Sequence, residues 1–241
     1  MGFSMPFHAQ LYTKPPHRYL NGQWLLILYE SSTSSIEKIL PRPLEPADEP
    51  IVAVFIAKFP VVQGMGTYLE AGMLIKSKLK ELTGYYVYEL FVTSDSAMAC
   101  GREIWGSPKK MADITLKDVG EIVLGKMIRN SVEILTLTFK REMEVKPEEL
   151  PSIFPTFCYK MIPSVSGDGY DVRQITTASI DEVEVLEAWS GPATISINPS
   201  ATTKMHLIEP KRIISGYYFR MSHTQKYGKV LYDYLSDRYF I

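Results

Sequence analysis

Two adjacent lysines, Lys109 and Lys110, lie in a segment that is rich in apolar side chains. The segment, residues 101–112, reads GREIWGSPKKMA. An uncharged lysine amine can attack a ketone and form a Schiff base, so lysine can act as a covalent catalyst. The neighbouring Ile104 and Trp105 are suited to line the dry pocket that such an amine requires. The segment is therefore a candidate for imine chemistry.

The two lysines also have a simpler interpretation as solvated surface charges, because lysine is almost never fully buried. A lysine in water has a pKa of about 10.4, so only a few molecules in ten thousand carry the free amine at pH 7. Lowering that pKa by about 3 to 5 units requires burial or a nearby positive charge. The chemical interpretation depends on the environment that the fold provides.

The spacing of the glycines, histidines and cysteines does not match other familiar types of site. Gly64 and Gly66 begin like a dinucleotide-binding loop, but Leu69 occupies the place of the third glycine. The four histidines and two cysteines are scattered, without the spacing of metal ligands or of a redox motif. We expect neither a metal nor an organic cofactor.

The charge balance narrows the range of partners. With 26 basic and 27 acidic residues, the net charge is −1, which removes the electrostatic attraction that nucleic-acid binders and polybasic membrane adaptors use. The longest apolar run, residues 51–57, is far shorter than the about 20 residues of a membrane-spanning helix. Residues 1–17 lack the pattern of a signal peptide. We expect a cytoplasmic protein with a small-molecule partner, and no nucleic-acid or membrane partner.

The elements that must position the lysines follow from an apolar pattern that is mostly of period two, which is typical of half-buried strands. The predicted strands are residues 24–30, 51–59, 85–93, 133–141, 180–189, 194–198 and 212–221. Predicted helices are few, at 31–40 and 222–235, with a broken turn at 147–154. Without repeated strand–helix alternation, we expect mostly antiparallel sheet in a single domain that spans residues 1–241.

The segment around Lys109 resembles the Schiff-base segment of the acetoacetate decarboxylase superfamily, in which the first of two lysines forms the imine. The other stretches that resemble this family, in the same order along the chain, are residues 40–45, 64–72, 159–163, 187–192 and 232–235. The resemblance implies an α+β, β-rich fold, whose mostly antiparallel sheet closes into a barrel or cone with a few peripheral helices. It also implies a homo-oligomer.

By this resemblance, Lys109 forms the imine, and Glu70 is the family's active-site glutamate, which positions substrate or relays a proton. Lys110 takes the place of a neighbouring cation that is held to lower the pKa of the reactive amine. In an extended backbone, however, successive side chains point to opposite faces. We therefore predict that desolvation lowers the pKa of that amine, and that Lys110 has a structural role in an ion pair with Glu103 or another acid.

Two polar positions of the family are lost in this chain. The family's arginine on the first strand falls on Gly22 or Gln23, and its second glutamate falls on Val54 or Phe55. We expect Phe55 to contact the substrate. A phenylalanine there would make the cavity drier, which suits a larger or less polar carbonyl compound.

A β-keto carboxylate substrate needs a group that recognises its negative charge, and guanidinium is the usual choice. Arg18 and Arg102 are the nearby candidates. Arg102 has an alternative structural role, in which it pairs with Glu103 or closes the floor of the pocket.

Three functions stay open. The leading hypothesis is a cofactor-independent lyase that decarboxylates acetoacetate or a related β-keto acid through an imine on Lys109. The second is a Schiff-base aldolase or dehydratase of the same superfamily that acts on another carbonyl substrate. The third is a non-catalytic protein that binds a hydrophobic small molecule and keeps both lysines outside its cavity.

Overall fold

Strands dominate the structure, a computed structural model that describes residues 2–241. The strands are β1 (His17–Glu30), β2 (Glu45–Pro46), β3 (Ile51–Val62), β4 (Gly66–Leu79), β5 (Leu82–Val92), β6 (Lys109–Met111), β7 (Asp113–Val119), β8 (Ile122–Arg129), β9 (Val132–Lys140), β10 (Met143–Glu144), β11 (Thr156–Pro163), β12 (Tyr170–Ala178), β13 (Ile180–Gly191), β14 (Ala193–Ile197), β15 (Arg212–Gln225), β16 (Lys229–Asp233) and β17 (Arg238–Tyr239). The helices are α1 (Thr33–Ile39), α2 (Asp95–Cys100), a π-helix (Gly101–Trp105) and two 3₁₀ turns (Pro147–Glu149 and Met205–Leu207). The expectation of a β-rich α+β fold is confirmed.

The strands form a large sheet and a small one. The large sheet has the order β10-β13-β15-β1-β3-β4-β5-β11-β12-β16-β17, with β2 beside β4 and β6 beside β5. The small sheet has the order β14-β9-β8-β7. Most neighbours are antiparallel, but β5 pairs in parallel with both β6 and β11.

The predicted closed barrel or cone is wrong for the chain as described over residues 2–241. A closed sheet requires its first and last strands to pair with each other. Here the large sheet ends instead at β10 and β17, which have two residues each. Edge strands as short as these offer little backbone for pairing with a further strand.

Alternation along β1 buries both faces of the large sheet. Leu25, Ile27 and Tyr29 belong to the apolar cluster that the small sheet covers, and we call this side the packed face. Trp24 and Leu26 belong to a second cluster on the opposite side, which we call the cavity face. The period of two found in the sequence therefore separates the core from the face that bears the candidate site.

The predicted helix at 222–235 is wrong, because β15 continues to Gln225 and β16 begins at Lys229. Its apolar spacing resembles that of a helix, but β15 pairs with β1 on one side and with β13 on the other. These two ladders determine the local structure. The predicted helix at 31–40 is present as α1, and Pro41 follows soon after its end.

No helix within residues 2–241 has the length and apolar character needed to cross a membrane.

Candidate active site

The turn between α2 and β6 brings Lys109 to the cavity face. The Ser94 hydroxyl accepts a hydrogen bond from the Ala97 amide and caps α2, which runs directly into the π-helix. Gly106 ends that π-helix at φ 77°, a left-handed conformation that glycine adopts without strain. The chain then reverses into β6, where Lys109 lies opposite Leu90 and Lys110 lies opposite Phe91.

Hydrogen bonds from neighbouring strands hold the π-helix in place. The Lys160 amine on β11 donates to the Ile104 carbonyl at 3.0 Å, and the Thr176 hydroxyl on β12 donates to the Trp105 carbonyl at 2.5 Å. Burial lowers the pKa of Lys160. The helix that precedes Lys109 is thus fixed to two strands of the large sheet.

The Lys109 amine lies 2.8 Å from Oε2 of Glu70, which projects from β4. The two side chains are only 11% and 12% exposed, so the pair is largely withdrawn from water. The amine also lies 5.6 Å from the centre of the Tyr68 ring. The structure therefore brings together the two residues that the sequence singled out for catalysis.

Gly101 provides the space that the Lys109 side chain occupies. A β-carbon at this position would lie 2.6 Å from Cδ and 2.7 Å from Cε of Lys109. Both distances are below the closest approach of carbon atoms that are not bonded to each other. The glycine at the start of the π-helix therefore allows the lysine to lie along the helix backbone.

A small cavity of about 80 Å³ surrounds the end of Lys109. Aromatic side chains form much of its wall, namely Tyr19, Trp24, Phe55, Phe59, Tyr68 and Phe154. The polar side chains that line it are Glu70, Ser107, Lys109, Thr156, His223 and Gln225. Phe55 thus has the location expected of a substrate contact, whereas Val54 lies on the packed face.

Tyr19, Tyr68 and His223, which line the same cavity as Lys109, are uncharged at pH 7. The Tyr19 ring stacks on His223 with 4.5 Å between ring centres, and the Tyr19 hydroxyl lies 3.1 Å from that of Tyr68. Burial raises the pKa of both tyrosines and lowers the pKa of His223 to about 4. Tyr19 also donates to Oε1 of Gln225 at 3.3 Å.

Two buried nitrogens in this wall, Nε1 of Trp24 and Nδ1 of His223, have no hydrogen-bond partner among residues 2–241. Buried polar atoms are normally paired, so each of these calls for a partner that the described protein atoms do not supply. They lie beside the cavity that holds the lysine–glutamate pair.

Lys110 points to the opposite side of β6. Its amine lies 2.6 Å from Oε2 of Glu89, donates to the Thr202 carbonyl at 3.1 Å, and lies over the Phe91 ring. Lys110 therefore pairs with an acid other than Glu103, namely Glu89, in agreement with the second of the two predicted alternatives. Glu103 instead accepts a hydrogen bond from the Tyr12 hydroxyl.

Neither candidate arginine lines the cavity. Arg102 is exposed, and its guanidinium donates to the backbone carbonyl of Lys109 at 3.3 Å, so it supports β6 from outside. It does not pair with Glu103. Arg18 is also exposed. These positions correct the expectation that one of the two faces a substrate carboxylate.

Sequence reasoning missed several lining residues. Tyr68 lies two positions before Glu70 on β4, so strand alternation was a signal that could have found it. His223 and Gln225 fell in the wrongly predicted helix. Tyr19 and Trp24, rather than Gly22 or Gln23, reach the cavity from β1. Within residues 2–241, no three His, Cys, Asp or Glu side chains lie together in a way that could hold a metal ion.

Solved structures of acetoacetate decarboxylases share this fold. The crystal structure of acetoacetate decarboxylase from Legionella pneumophila superposes with a TM-score of 0.90 at 30% identity, over 97% of this chain and 94% of that one. The family model described as Acetoacetate decarboxylase (ADC) matches residues 4–235. Acetoacetate decarboxylase 3 of Mesorhizobium japonicum is 31% identical over 98% of this chain and 92% of its own length. The chain belongs to the acetoacetate decarboxylase family, and the expectation of a carboxy-lyase of this family is confirmed.

The fold also occurs in a more distant protein. The enduracididine biosynthesis enzyme MppR, in complex with the condensation product of pyruvate and imidazole 4-carboxaldehyde, superposes with a TM-score of 0.85 at 16% identity. The superposition covers 97% of each chain. At this identity the likeness concerns the fold alone.

Proposed function

We propose that this protein is a cofactor-independent lyase that decarboxylates acetoacetate or a related β-keto acid through an imine on Lys109. The observation that carries the proposal is the Lys109–Glu70 pair at 2.8 Å, withdrawn from water at the end of an aromatic cavity. Membership of the acetoacetate decarboxylase family supports it.

Glu70 is placed to move the protons of the reaction. The first step passes a proton from the Lys109 ammonium to Glu70, 2.8 Å away, which leaves a free amine and a neutral acid. The amine attacks the ketone carbon, and Glu70 returns its proton to the oxygen that leaves as water, which gives a protonated imine. The bond to the carboxylate then breaks, and its electron pair moves to the imine nitrogen as CO₂ leaves. Glu70 takes up a proton from water and passes it to the enamine carbon, and water then hydrolyses the protonated imine to release the ketone and restore the Lys109 ammonium.

The uncharged side chains of the cavity wall favour a reaction in which the substrate carboxylate loses its negative charge. No arginine among residues 2–241 lines the cavity, so the substrate carboxylate meets Lys109 and the uncharged Tyr19, Trp24 and Gln225. Holding an anion among neutral groups is less favourable than holding it in water. When CO₂ leaves, the carboxylate charge is lost and the electron pair of the broken bond neutralises the positive imine nitrogen, which favours the forward reaction in these surroundings.

A second candidate is an aldolase or dehydratase that uses the same imine. The absence of an arginine from the described cavity wall favours a substrate without a carboxylate at the cleaved position, and MppR holds a condensation product of two carbonyl compounds. The non-catalytic alternative kept both lysines outside the cavity. Because Lys109 lines the cavity, this premise of the non-catalytic alternative does not hold.

Release of CO₂ from acetoacetate tests the proposal. We expect Lys109→Met to reduce the rate to the uncatalysed background, and Glu70→Gln to reduce kcat by about 10²-fold or more, the usual contribution of a proton-transferring group. The exposed pair Lys76–Glu49 has the same 2.8 Å separation and provides the matched controls Lys76→Met and Glu49→Gln, which should keep full activity.

Undiminished CO₂ release by Lys109→Met would contradict the proposal. A wild-type protein that forms an imine on Lys109 but leaves acetoacetate intact would instead favour the aldolase or dehydratase.

A further inference from the structure

An apolar groove of about 280 Å³ adjoins the active-site cavity. Side chains of β13, β15 and the loop after the Pro147–Glu149 turn line it, including Leu150, Val183, Val185, Phe219 and Met221. Of the described residues that line the groove, Ser152 is the one with a hydroxyl side chain, and none is charged. The groove therefore suits a hydrocarbon and disfavours a charged group.

The cavity and the groove share one wall. Trp24 and Ile180 from strands, and Ile153 and Phe154 from the loop before β11, line both spaces. A molecule held at Lys109 that extends past these four side chains enters the groove. The groove therefore lies next to the candidate active site, with these four side chains between the two spaces.

The cavity holds polar groups and the groove is apolar, so each space suits a different end of a substrate. The cavity of about 80 Å³ contains the lysine, the glutamate and the polar wall. The larger groove is almost wholly apolar, and it opens to solvent beside Val183, which is 50% exposed. A keto acid with a hydrocarbon tail would match both environments at once.

We propose that the groove binds the hydrocarbon tail of the substrate, and that the preferred substrates are 3-oxo acids with an acyl chain longer than that of acetoacetate. The keto and carboxylate groups lie at Lys109, and the tail passes Trp24 and Phe154 toward Val183. For the keto end, this inference rests on the proposed imine on Lys109. The tail end is independent of the imine.

Binding of the unreactive carboxylates butanoate, hexanoate and octanoate, measured by calorimetry, tests the groove without any chemistry. Each added methylene that enters the groove should tighten Kd by about fourfold. Val183→Trp narrows the groove and should remove this gain for hexanoate and octanoate, while butanoate binding stays the same. Val119→Trp places the same substitution at a 64% exposed valine of β7, and should behave like the wild type.

Equal affinity for all three acids, no binding of any of them, or an equal loss for butanoate and octanoate in Val183→Trp would overturn the proposal. The same holds if Val183→Trp changes the oligomeric state and keeps the chain-length trend, since the groove would then cover a second copy of the chain.

The ratio of kcat/KM for 3-oxohexanoate to that for acetoacetate, corrected for uncatalysed decay, adds the catalytic test. We expect a ratio of about 10 or more in the wild type, and a ratio near 1 in Val183→Trp. An imine on Lys109 without a chain-length preference would refute the groove alone. A chain-length preference in carboxylate binding without an imine would refute the proposed function alone.

Discussion

At the scale of single residues, the site combines one ion pair with a set of neutral polar groups. Lys109 and Glu70 are the ionic partners, while Tyr19, Tyr68 and His223 surround them in uncharged form. Burial is the cause in all three cases, because it disfavours the charged form of each side chain. The lysine therefore lies in surroundings that offer hydrogen bonds with little competing charge.

The low pKa of His223 predicts that the folded protein loses stability in acid. Its pKa is about 4 in the folded protein and about 6.5 when solvated, so the unfolded chain binds the extra proton between these values. Stability should therefore fall as the pH drops from 6.5 toward 4. Between pH 7 and 4.5 the loss due to His223 should be about 2–3 kcal/mol.

Urea unfolding of the wild type and of His223→Gln at these two pH values measures this loss. The pH dependence should be weaker in the variant by that amount, and unchanged in His8→Gln, which alters an exposed histidine. Equal pH dependence in the wild type and His223→Gln would show that His223 has an ordinary pKa.

The individual site residues were predictable to different degrees. Lys109 and Glu70 lie in local motifs that resemble those of a known family, so the sequence identifies them directly. His223 and Gln225 reach the cavity from a strand near the end of the chain, where no local motif marks them. Strand alternation predicts the direction in which the Lys110 side chain points. The identity of its partner, Glu89, depends on the parallel register between β6 and β5, which the sequence does not reveal.

At the scale of elements, the π-helix and β6 determine where the reactive amine lies. Gly101 has φ −61° and ψ −45°, ordinary helical values that alanine also adopts. Its lack of a β-carbon is required by Lys109 and not by the backbone. The strand predictions succeeded where a period of two was clear, and the helix predicted at 222–235 failed because pairing with β1 and β13 overrides local spacing.

Gly101→Ala should displace the Lys109 side chain with little effect on stability. A flexible lysine can move away from the added methyl group, but a shift of about 1 Å at a reacting atom lowers kcat/KM by about 10²-fold. Gly120→Ala provides the opposite control. Gly120 has φ 64° and open space around it, so alanine there should cost about 1 kcal/mol of stability and leave activity unchanged.

Thermal unfolding and decarboxylation assays of both variants measure this contrast. Full activity of Gly101→Ala would refute the account of how the π-helix positions Lys109.

Lys110→Met should destabilise the protein without changing the pH dependence of Lys109 labelling by a carbonyl compound. Glu89 is buried and would lose its cationic partner, at a cost of about 2–4 kcal/mol. Adding Glu89→Gln should recover part of this loss. A shift of the labelling profile to higher pH in Lys110→Met would instead assign the tuning role to Lys110.

At the scale of the whole molecule, the small sheet covers the packed face of the large sheet and leaves the cavity face to the site. Gly125 on β8 permits the close approach, because a β-carbon there would lie 2.8 Å from Cδ1 of Ile56 on β3. The two-layer arrangement follows from burial of both faces of strands such as β1. Whether the large sheet closes was not predictable, because closure depends on pairing between strands far apart in sequence, which apolar periodicity does not encode.

Gly125→Val should separate stability from catalysis. Overpacking between the sheets should cost about 1–3 kcal/mol, while kcat and KM at 25 °C stay the same, since Ile56 lies on the packed face. Thr138→Val, on the same small sheet, is the control and should change stability by less than about 0.5 kcal/mol. Denaturant unfolding and steady-state kinetics check both values, and a loss of activity equal to the loss of stability would contradict this separation.

Borohydride reduction of the protein in the presence of acetone or acetoacetate, followed by peptide mass mapping, shows whether Lys109 forms an imine. We expect a reduced adduct on Lys109 that is absent from Lys109→Met and is not found on Lys110 or Lys76. A protein that every tested carbonyl compound leaves unmodified, or a label spread evenly over exposed lysines, would contradict it.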